Sequence, residues 1–333
     1  VDRIYIGHIS GVGVNALSGI GLTVPFVIFI LGLSQLFGNG GTPIFSIARG
    51  SGDKERASLT LGNSFTMLLI ASVVMTILFQ ILMHPLLYAF GASDNTYPFA
   101  ASYLRIYLLG TAFTMLASGL NDYILAQGYP RTAMLSTLIG AVINVAIDPL
   151  FIFTFNLGIR GAAIATVISQ AVSCAWVLCF LFGKKALYRI NSKNIRLKLS
   201  ICLKTMSVGL TGFVMQIGNC VVSIVANKSL NFYGGDLYVG IMTVVNSVCS
   251  VMRVAVDGIT NGAKPVIGFN YGAAKFDRVK RSIVFSSVTA LIYTGLAWAV
   301  VYFFPNFFFN IFSSEPELAS VGTKYLHLYF LAY

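Results

Sequence analysis

The sequence predicts an all-α polytopic membrane protein, built as two six-helix bundles in a parallel pseudo-two-fold repeat with the second bundle incomplete. Three observations predict this fold. Hydrophobic residues make up 56% of the 333 residues and charged residues only 10%, too few to cover a soluble surface. Several uncharged apolar runs reach about 20 residues, the length that crosses a hydrocarbon core. The chain also aligns with itself at one offset.

The apolar runs predict ten helices or parts of helices, in the ranges 1–7, 13–49, 58–83, 98–126, 132–155, 161–182, 208–232, from 237, 282–304 and from about 319. Pro25, Gly32 and the glycine-rich run 38–41 predict a break in the second helix. The chain enters late in the first helix and stops inside the tenth, so we expect a fragment.

Six helices per lobe give the predicted domain organisation. Residues 1–183 form an N-terminal six-helix lobe with a truncated first helix, and 184–203 form a basic cytoplasmic linker. Residues 204–333 form an incomplete C-terminal lobe with helices seven to early ten. We expect a multi-pass monomer in the cell (inner or plasma) membrane, with lipid as its main surroundings.

Charge distribution predicts the orientation. Most of the 22 lysines and arginines fall in connections from an even-numbered to an odd-numbered helix, and the opposite connections carry mainly acids. The positive-inside rule therefore places the basic loops in the cytoplasm. A cytoplasmic face near anionic lipid explains the net charge of +11 without a nucleic-acid partner.

An offset of 222 residues reveals the internal repeat. It places Asn39-Gly40 on Asn261-Gly262, Pro43 on Pro265, Gly50 on Gly272, Arg56 on Arg278, and Tyr103, Leu104 and Tyr107 on Tyr325, Leu326 and Tyr329. Six helices separate equivalent points, so both copies cross the membrane in the same direction. Parallel repeats of this kind are typical of transporters, with a transport path between the copies.

Polar residues in the fifth and sixth helices predict a cation site. Asn144 and Asp148 are four residues apart, so a helix places both on one face. Pro149 lacks an N–H, which frees a carbonyl one turn earlier and provides a hinge. A carboxylate at membrane depth costs roughly 2.5–3.5 kcal/mol and is a functional hypothesis by default. By depth, Thr166 and Asp2 lie at the same level.

These four residues, Asp2, Asn144, Asp148 and Thr166, can hold a proton or a sodium ion. In the structural alternative, Asp148 caps a helix break before Pro149, and Asp2 pairs with Arg3.

Possible substrate-binding residues lie elsewhere. Asp257 follows Arg253 by four residues, so it forms either a structural ion pair or a site for a cationic substrate. The repeat offset makes Gln35 the equivalent of Asp257 in the first copy. Gln216 lies in the predicted seventh helix.

Enzymatic classes are excluded by the motifs that are missing from the sequence. The chain has no nucleotide-binding GxxxxGK[ST] and no HExxH, and its five cysteines and three histidines do not fall at metal-ligand spacing. We expect no enzyme activity, no cofactor other than H⁺ or Na⁺ as coupling ion, and no metal site besides the one where Na⁺ can bind.

Taken together, these motifs resemble the multidrug and toxic compound extrusion (MATE) family. The resemblance covers essentially the whole chain and rests on Asp2 before Tyr5-Ile6-Gly7, on Asn144-x-x-x-Asp148-Pro149, on the run from Gly158 to Thr166, and on the run from Pro265 to Ala273. It implies two six-helix lobes and the exchange of cationic or aromatic drugs for external protons or sodium.

The resemblance implies that Asp2, Asn144, Asp148 and Thr166 form the family's cation site in the first lobe. Some members carry an acid in helix seven, where this chain has Gln216, so a second-lobe site is not implied. The alternative function is a lipid-linked oligosaccharide or lipid flippase, which requires several cations inside the helices. Only Arg3, Arg105 and Arg253 are candidates for that role.

Overall fold

The computed structural model describes residues 19–90, 92, 94 and 96–304. Asp2 and the predicted first and tenth helices lie outside the described residues. The helices are α1 (Val24–Ser34), α2 (Gly41–Gly50), α3 (Lys54–Ala89), α4 (Tyr97–Leu109), α5 (Thr111–Ala126), α6 (Pro130–Pro149), α7 (Gly158–Phe182), α8 (Leu199–Gly272) and α9 (Phe276–Phe303), with π-helical turns at Gln35–Asn39 and Leu150–Thr154.

The described part of the chain contains helices and no strand, which confirms the predicted all-α class. Six helical segments in it are long and apolar enough to cross a membrane, and the bent pair α4–α5 makes a seventh. Apolar side chains such as Ile77 and Ile81 on α3 are 57% and 71% exposed. An exposed apolar helix face of this kind suits contact with lipid tails.

The chain forms two compact units, Val1–Gly218 and Asn219–Tyr333. The first unit contains α1 to α7 and the start of α8. Its core lies between the helices and is centred on large buried side chains that include Phe26, Phe45, Leu104, Met115 and Tyr123. The boundary predicted at 184–203 stays a prediction.

The second predicted helix breaks where the glycine-rich run predicts it. The π-helical turn Gln35–Asn39 separates α1 from α2, and the Gly40 N–H donates to the Gln35 carbonyl over 2.9 Å. Glycine is required because a Cβ on Gly38 would lie 2.4 Å from the Cα of Gly119. The break therefore lets α1 and α2 pack directly on the α5 backbone.

The fourth helix, predicted over 98–126, is present in the structure as the bent pair α4–α5. The helix bends by 57° between α4 and α5 at Gly110. A Cβ on Gly110 would lie 2.7 Å from Val167 Cγ2, so α7 packs closely against α4–α5 at the bend. The local sequence contains no proline at that point, and the bend coincides with this tertiary contact.

Helix α3 is longer than its predicted range of 58–83. Asp53 caps it by accepting a hydrogen bond from the Arg56 N–H over 2.9 Å, so the charged residues predicted as loop form its first turn. Pro85 lies inside the last turns of the helix.

The segment after α7 is anchored to the first unit by two buried amide side chains. Asn63 is fully buried, and its Oδ1 accepts a hydrogen bond from the Lys198 N–H over 2.8 Å. Gln127 is 1% exposed, and its Oε1 accepts from the Tyr188 N–H over 3.0 Å. The basic segment is therefore packed against the helices, and its last residues, from Leu199, are already helical.

Two helices are predicted over 208–232 and from 237, and the structure has the single helix α8 across both ranges. The interval between the two predicted ranges contains Gly234, Gly235 and Asp236. Glycine lowers helix propensity by about 1 kcal/mol but remains compatible with helical backbone, so its presence alone does not end a helix.

Candidate cation site

The carboxylate of Asp148 lies at the end of α6, where the helix geometry changes. Pro149 is the last α-helical residue, and the following turn, Leu150–Thr154, is π-helical. In this turn the Phe155 N–H donates to the Leu150 carbonyl over 3.0 Å. Because proline removes a backbone donor and a π-turn widens the helix, the chain next to Asp148 departs from regular α-helix.

Asp148 is fully buried, with 0% of its surface exposed. Its Oδ1 accepts a hydrogen bond from Asn144 Nδ2 over 3.0 Å. The four-residue spacing places both side chains on one face, as the sequence predicts. A buried carboxylate requires hydrogen bonds or an opposite charge, because removing an ion from water costs several kcal/mol.

A tight turn brings α7 back against α6. Asn156 and Gly158 adopt positive φ values of 51° and 53°, a conformation that glycine and asparagine tolerate best. A Cβ on Gly161 would lie 2.5 Å from the Phe151 carbonyl oxygen, so only glycine allows this close approach. The turn thereby brings α7 back along α6, so that Thr166 of α7 lines a common cavity with Asn144 of α6.

Asn144 and Thr166 line one cavity of about 440 Å³ between α5, α6 and α7. We call it the polar cavity. Most of its lining carries hydroxyl or amide groups, and none of its lining side chains is ionisable. Besides Asn144 and Thr166, its polar lining includes Ser118, Asn121, Ser136, Thr137, Ser169 and Ser173.

Hydrogen bonds between three helices close the end of the polar cavity that is nearer Pro130. Ser136 Oγ on α6 donates to Asn121 Oδ1 on α5 over 2.7 Å. Ser173 Oγ on α7 donates to the Ser136 carbonyl over 2.9 Å. Gly140 permits this contact, because a Cβ there would lie 2.1 Å from Ser173 Oγ.

The structure therefore brings together three of the four predicted cation-site residues, and Asp2 lies outside the described residues. Carboxylate, amide and hydroxyl oxygens are ligands suited to a proton or a hard monovalent cation. Within the described ranges, no three His, Cys, Asp or Glu side chains cluster as they would for a divalent metal.

Sequence reasoning missed the part of this site nearer Pro130. Ser136, Gly140, Asn144 and Asp148 follow one another at four-residue intervals along α6, a polar stripe visible in the sequence. Asn121 carried no such signal, because its partner Ser136 comes from another helix.

Two predicted substrate-binding residues of the first unit, Gln35 and Gln216, do not line the polar cavity. Gln35 accepts a hydrogen bond from Asn39 Nδ2 over 2.9 Å at the π-helical turn, and a Cβ on Gly212 of α8 would lie 3.5 Å from its Cβ. The Gln216 Cβ lies 4.0 Å from where a Cβ on Gly32 would be. Gln35 and Gln216 thus both lie where the end of α1 and the following π-helical turn pack against the start of α8. Asp257 is exposed on α8 in the second unit.

Comparison with known proteins identifies the family. The sequence profile of the MatE family matches residues 1–150 and 208–333. The multidrug export protein MepA of Staphylococcus saprophyticus is 25% identical over 309 residues, which cover 93% of this chain and 68% of MepA. MepA of Staphylococcus aureus is 23% identical over 313 residues, with the same coverage of 93% and 68%.

Solved structures agree with this assignment. The MATE multidrug transporter DinF-BH is 30% identical, and the match has a TM-score of 0.91 and covers 99% of this chain and 73% of that one. A MOP superfamily transporter from Pyrococcus furiosus matches with a TM-score of 0.90 at 23% identity, over 99% of this chain and 72% of that one, and shows the fold alone. The polytopic chain with a buried carboxylate at a polar cavity therefore belongs to the MatE family of multidrug efflux transporters, which are not enzymes.

Proposed function

We propose that this protein exports cationic and aromatic drugs in exchange for H⁺ or Na⁺, which binds at Asp2, Asn144, Asp148 and Thr166. The observation that carries the proposal is the fully buried Asp148 carboxylate, held by Asn144 beside a polar cavity. Drug substrates are proposed because the relatives are named multidrug export proteins.

The proposed mechanism is alternating access. Drug binds from the cytoplasm, and an external cation then binds at Asp148 in the outward-open state. A ligand shifts a conformational equilibrium only by its differential affinity for the two states. In this mechanism the cation neutralises the Asp148 carboxylate and changes the bend at Pro149 and the π-helical turn after it. Gln35, Gln216 and Asp257 remain the proposed substrate contacts.

Charge balance limits the driving force. One monovalent cation entering while one monovalent cationic drug leaves moves no net charge, so the membrane potential contributes nothing to that exchange. A tenfold ion gradient then supplies about 1.4 kcal/mol, enough for about a tenfold drug gradient. Two cations per drug would add about 1.4 kcal/mol from the second ion's gradient and about 2.3 kcal/mol at 100 mV for the net charge moved. Export that depends on the membrane potential would therefore indicate two cations per monovalent cationic drug, and export that does not would indicate one.

The experiment is uptake of a fluorescent cationic dye by inside-out vesicles under an imposed pH gradient and then a sodium gradient. We expect one gradient to drive uptake and the Asp148→Asn variant to lose it. Asp277→Asn is the matched control, because Asp277 is an exposed aspartate in the first turn of α9. Normal gradient-driven uptake by Asp148→Asn would refute the proposed coupling.

The flippase alternative is not favoured, since the curated relatives carry the name of drug exporters. We further propose that the protein is a monomer with its basic loops in the cytoplasm, as the charge distribution indicates. Labelling of an engineered cysteine at Lys193 from one side of the membrane would test that orientation.

A further inference from the structure

The polar cavity extends well beyond the cation site. Ser136, Gly140, Asn144 and Asp148 mark one stripe of α6, which spans about 18 Å along the helix axis. Ser136, Gly140 and Asn144 line the cavity, and Asp148 lies one turn further along. The cavity therefore runs from Asn144, which donates to the buried carboxylate, towards the half of α6 that begins at Pro130.

The chemistry of the lining favours passage of a cation over its retention. The residues around the cavity are hydroxyl-bearing, amide-bearing or small, and none is ionisable. Hydroxyl and amide oxygens solvate a proton-bearing water or a small monovalent cation without a fixed charge to hold it. Conduction requires binding that is favourable enough to admit an ion and weak enough to release it.

The cavity is also suited to water. At about 440 Å³ it has room for roughly ten to fifteen water molecules of about 30 Å³ each. Ser118 Oγ, on its α5 wall, is buried without a hydrogen-bond partner among the described residues. Buried hydroxyl groups are nearly always hydrogen-bonded, so we expect a water molecule or another polar group to bind Ser118 at this wall.

Aromatic side chains join α6 and α7 between the cavity and Pro130. Beyond the hydrogen bonds of Ser136, Trp176 Nε1 donates to the Thr132 carbonyl over 3.2 Å. The Tyr129 and Phe180 rings pack edge to face at 5.0 Å one turn nearer that end. These contacts join α7 to the start of α6, so a small separation of the two helices would open the cavity at this end.

We propose that the polar cavity is a hydrated path, within the first unit alone, by which the coupling cation passes between Asp148 and the membrane face at Pro130. The proposal rests on the proposed function. The path takes a proton carried by water or a small monovalent cation, and the contacts of Trp176 and Tyr129 are its gate.

The test uses silver ion, a thiol-reactive monovalent cation, on a protein whose five native cysteines are replaced by alanine. Ser136→Cys places a thiol in the cavity. Leu138→Cys is the matched control, because Leu138 is two residues further along α6 and 50% exposed on the outer surface of the helix. Thiols left unreacted are counted with a fluorescent maleimide after denaturation, so poorly expressed protein does not distort the ratio.

We expect Ag⁺ applied at the Pro130 face to react at Ser136→Cys at least about tenfold faster than at Leu138→Cys. A thiol in a hydrated cavity can ionise and meet Ag⁺ from water, whereas the apolar outer face at Leu138 is in contact with lipid. We also expect the reaction to stop gradient-driven dye transport in Ser136→Cys and not in Leu138→Cys. Equal reaction rates at the two positions, or transport that survives complete modification of Ser136→Cys, would overturn the proposal. If Ser136→Cys does not fold, Ser118→Cys tests the same cavity.

Adding Asp148→Asn to the Ser136→Cys protein separates the two hypotheses. The cavity does not depend on a charged Asp148, so fast Ag⁺ reaction should persist while gradient-driven transport is lost. Persistent transport in this variant would overturn the proposed function. A slow Ag⁺ reaction at Ser136→Cys would overturn the hydrated path. If the single variant Asp148→Asn loses transport in the same set of experiments, the proposed function still stands.

Discussion

The Gly140→Ala substitution tests the packing that closes the polar cavity. The new Cβ would lie 2.1 Å from Ser173 Oγ, which now donates to the Ser136 carbonyl over 2.9 Å. Overpacking costs about 1–3 kcal/mol, and the displaced hydroxyl loses a hydrogen bond that contributes about 1 kcal/mol. Alanine regains about 1 kcal/mol of helix propensity. The net effect is a destabilisation of about 1–3 kcal/mol.

The double variant Gly140→Ala/Ser173→Ala removes the clashing atom. Its gain in helix propensity and its lost hydrogen bond, each about 1 kcal/mol, nearly cancel. The double variant should therefore be more stable than Gly140→Ala alone, which is a strong non-additivity between neighbours.

The assay is the apparent Tm of the detergent-solubilised protein. At about 2–4 °C per kcal/mol, Gly140→Ala should lower the Tm by roughly 2–12 °C, and Ser173→Ala should restore most of the loss. Gly295→Ala on α9 is the control, because its Cβ would meet no described atom within 4 Å. An unchanged Tm for Gly140→Ala, or additive losses in the double variant, would refute the packing argument.

Three further predictions concern the first unit. Asn63→Ala removes the acceptor of the Lys198 N–H and Cys202 Sγ, so trypsin should cut the 184–198 segment faster than in the wild type; an equal rate would contradict the anchoring role. Tyr123→Phe breaks the buried 2.7 Å hydrogen bond to Ser64 and should cost about 1 kcal/mol, read as a lower Tm; an unchanged Tm would speak against that contribution. Glu55→Gln should leave the Tm unchanged, because the Glu55–Lys198 pair is exposed at 3.8 Å; a clear drop would show that this ion pair matters.

The all-α membrane class follows from the length and polarity of the apolar runs, and so it was predictable from the sequence. The division into single helices was predictable only in part, because the chain bends at Gly110 and continues as one helix across 199–272. The bend at Gly110 was not predictable, because it coincides with a close contact from Val167 of another helix. The break at 35–39 was predictable because glycines mark it, whereas its π-helical form depends on the approach of Gly38 to Gly119.

The candidate cation site, too, was predictable from the sequence only in part. Asn144 and Asp148 were found because a four-residue spacing in one helix is visible in the sequence, and the hydrogen bond between them confirms that they meet. The polar cavity requires three helices to converge. The pairing of Ser136 with Asn121 and Ser173 was therefore beyond sequence reasoning.

The central claim is that Asp148 couples cation entry to drug export. The most direct measurement records dye efflux and ion influx at the same time in proteoliposomes carrying the wild-type protein, Asp148→Asn or Asp277→Asn. We predict that the wild type and Asp277→Asn move dye and ion in a fixed ratio, and that Asp148→Asn loses ion influx together with uphill dye export. Ion-coupled dye export by Asp148→Asn at the wild-type ratio would contradict the claim.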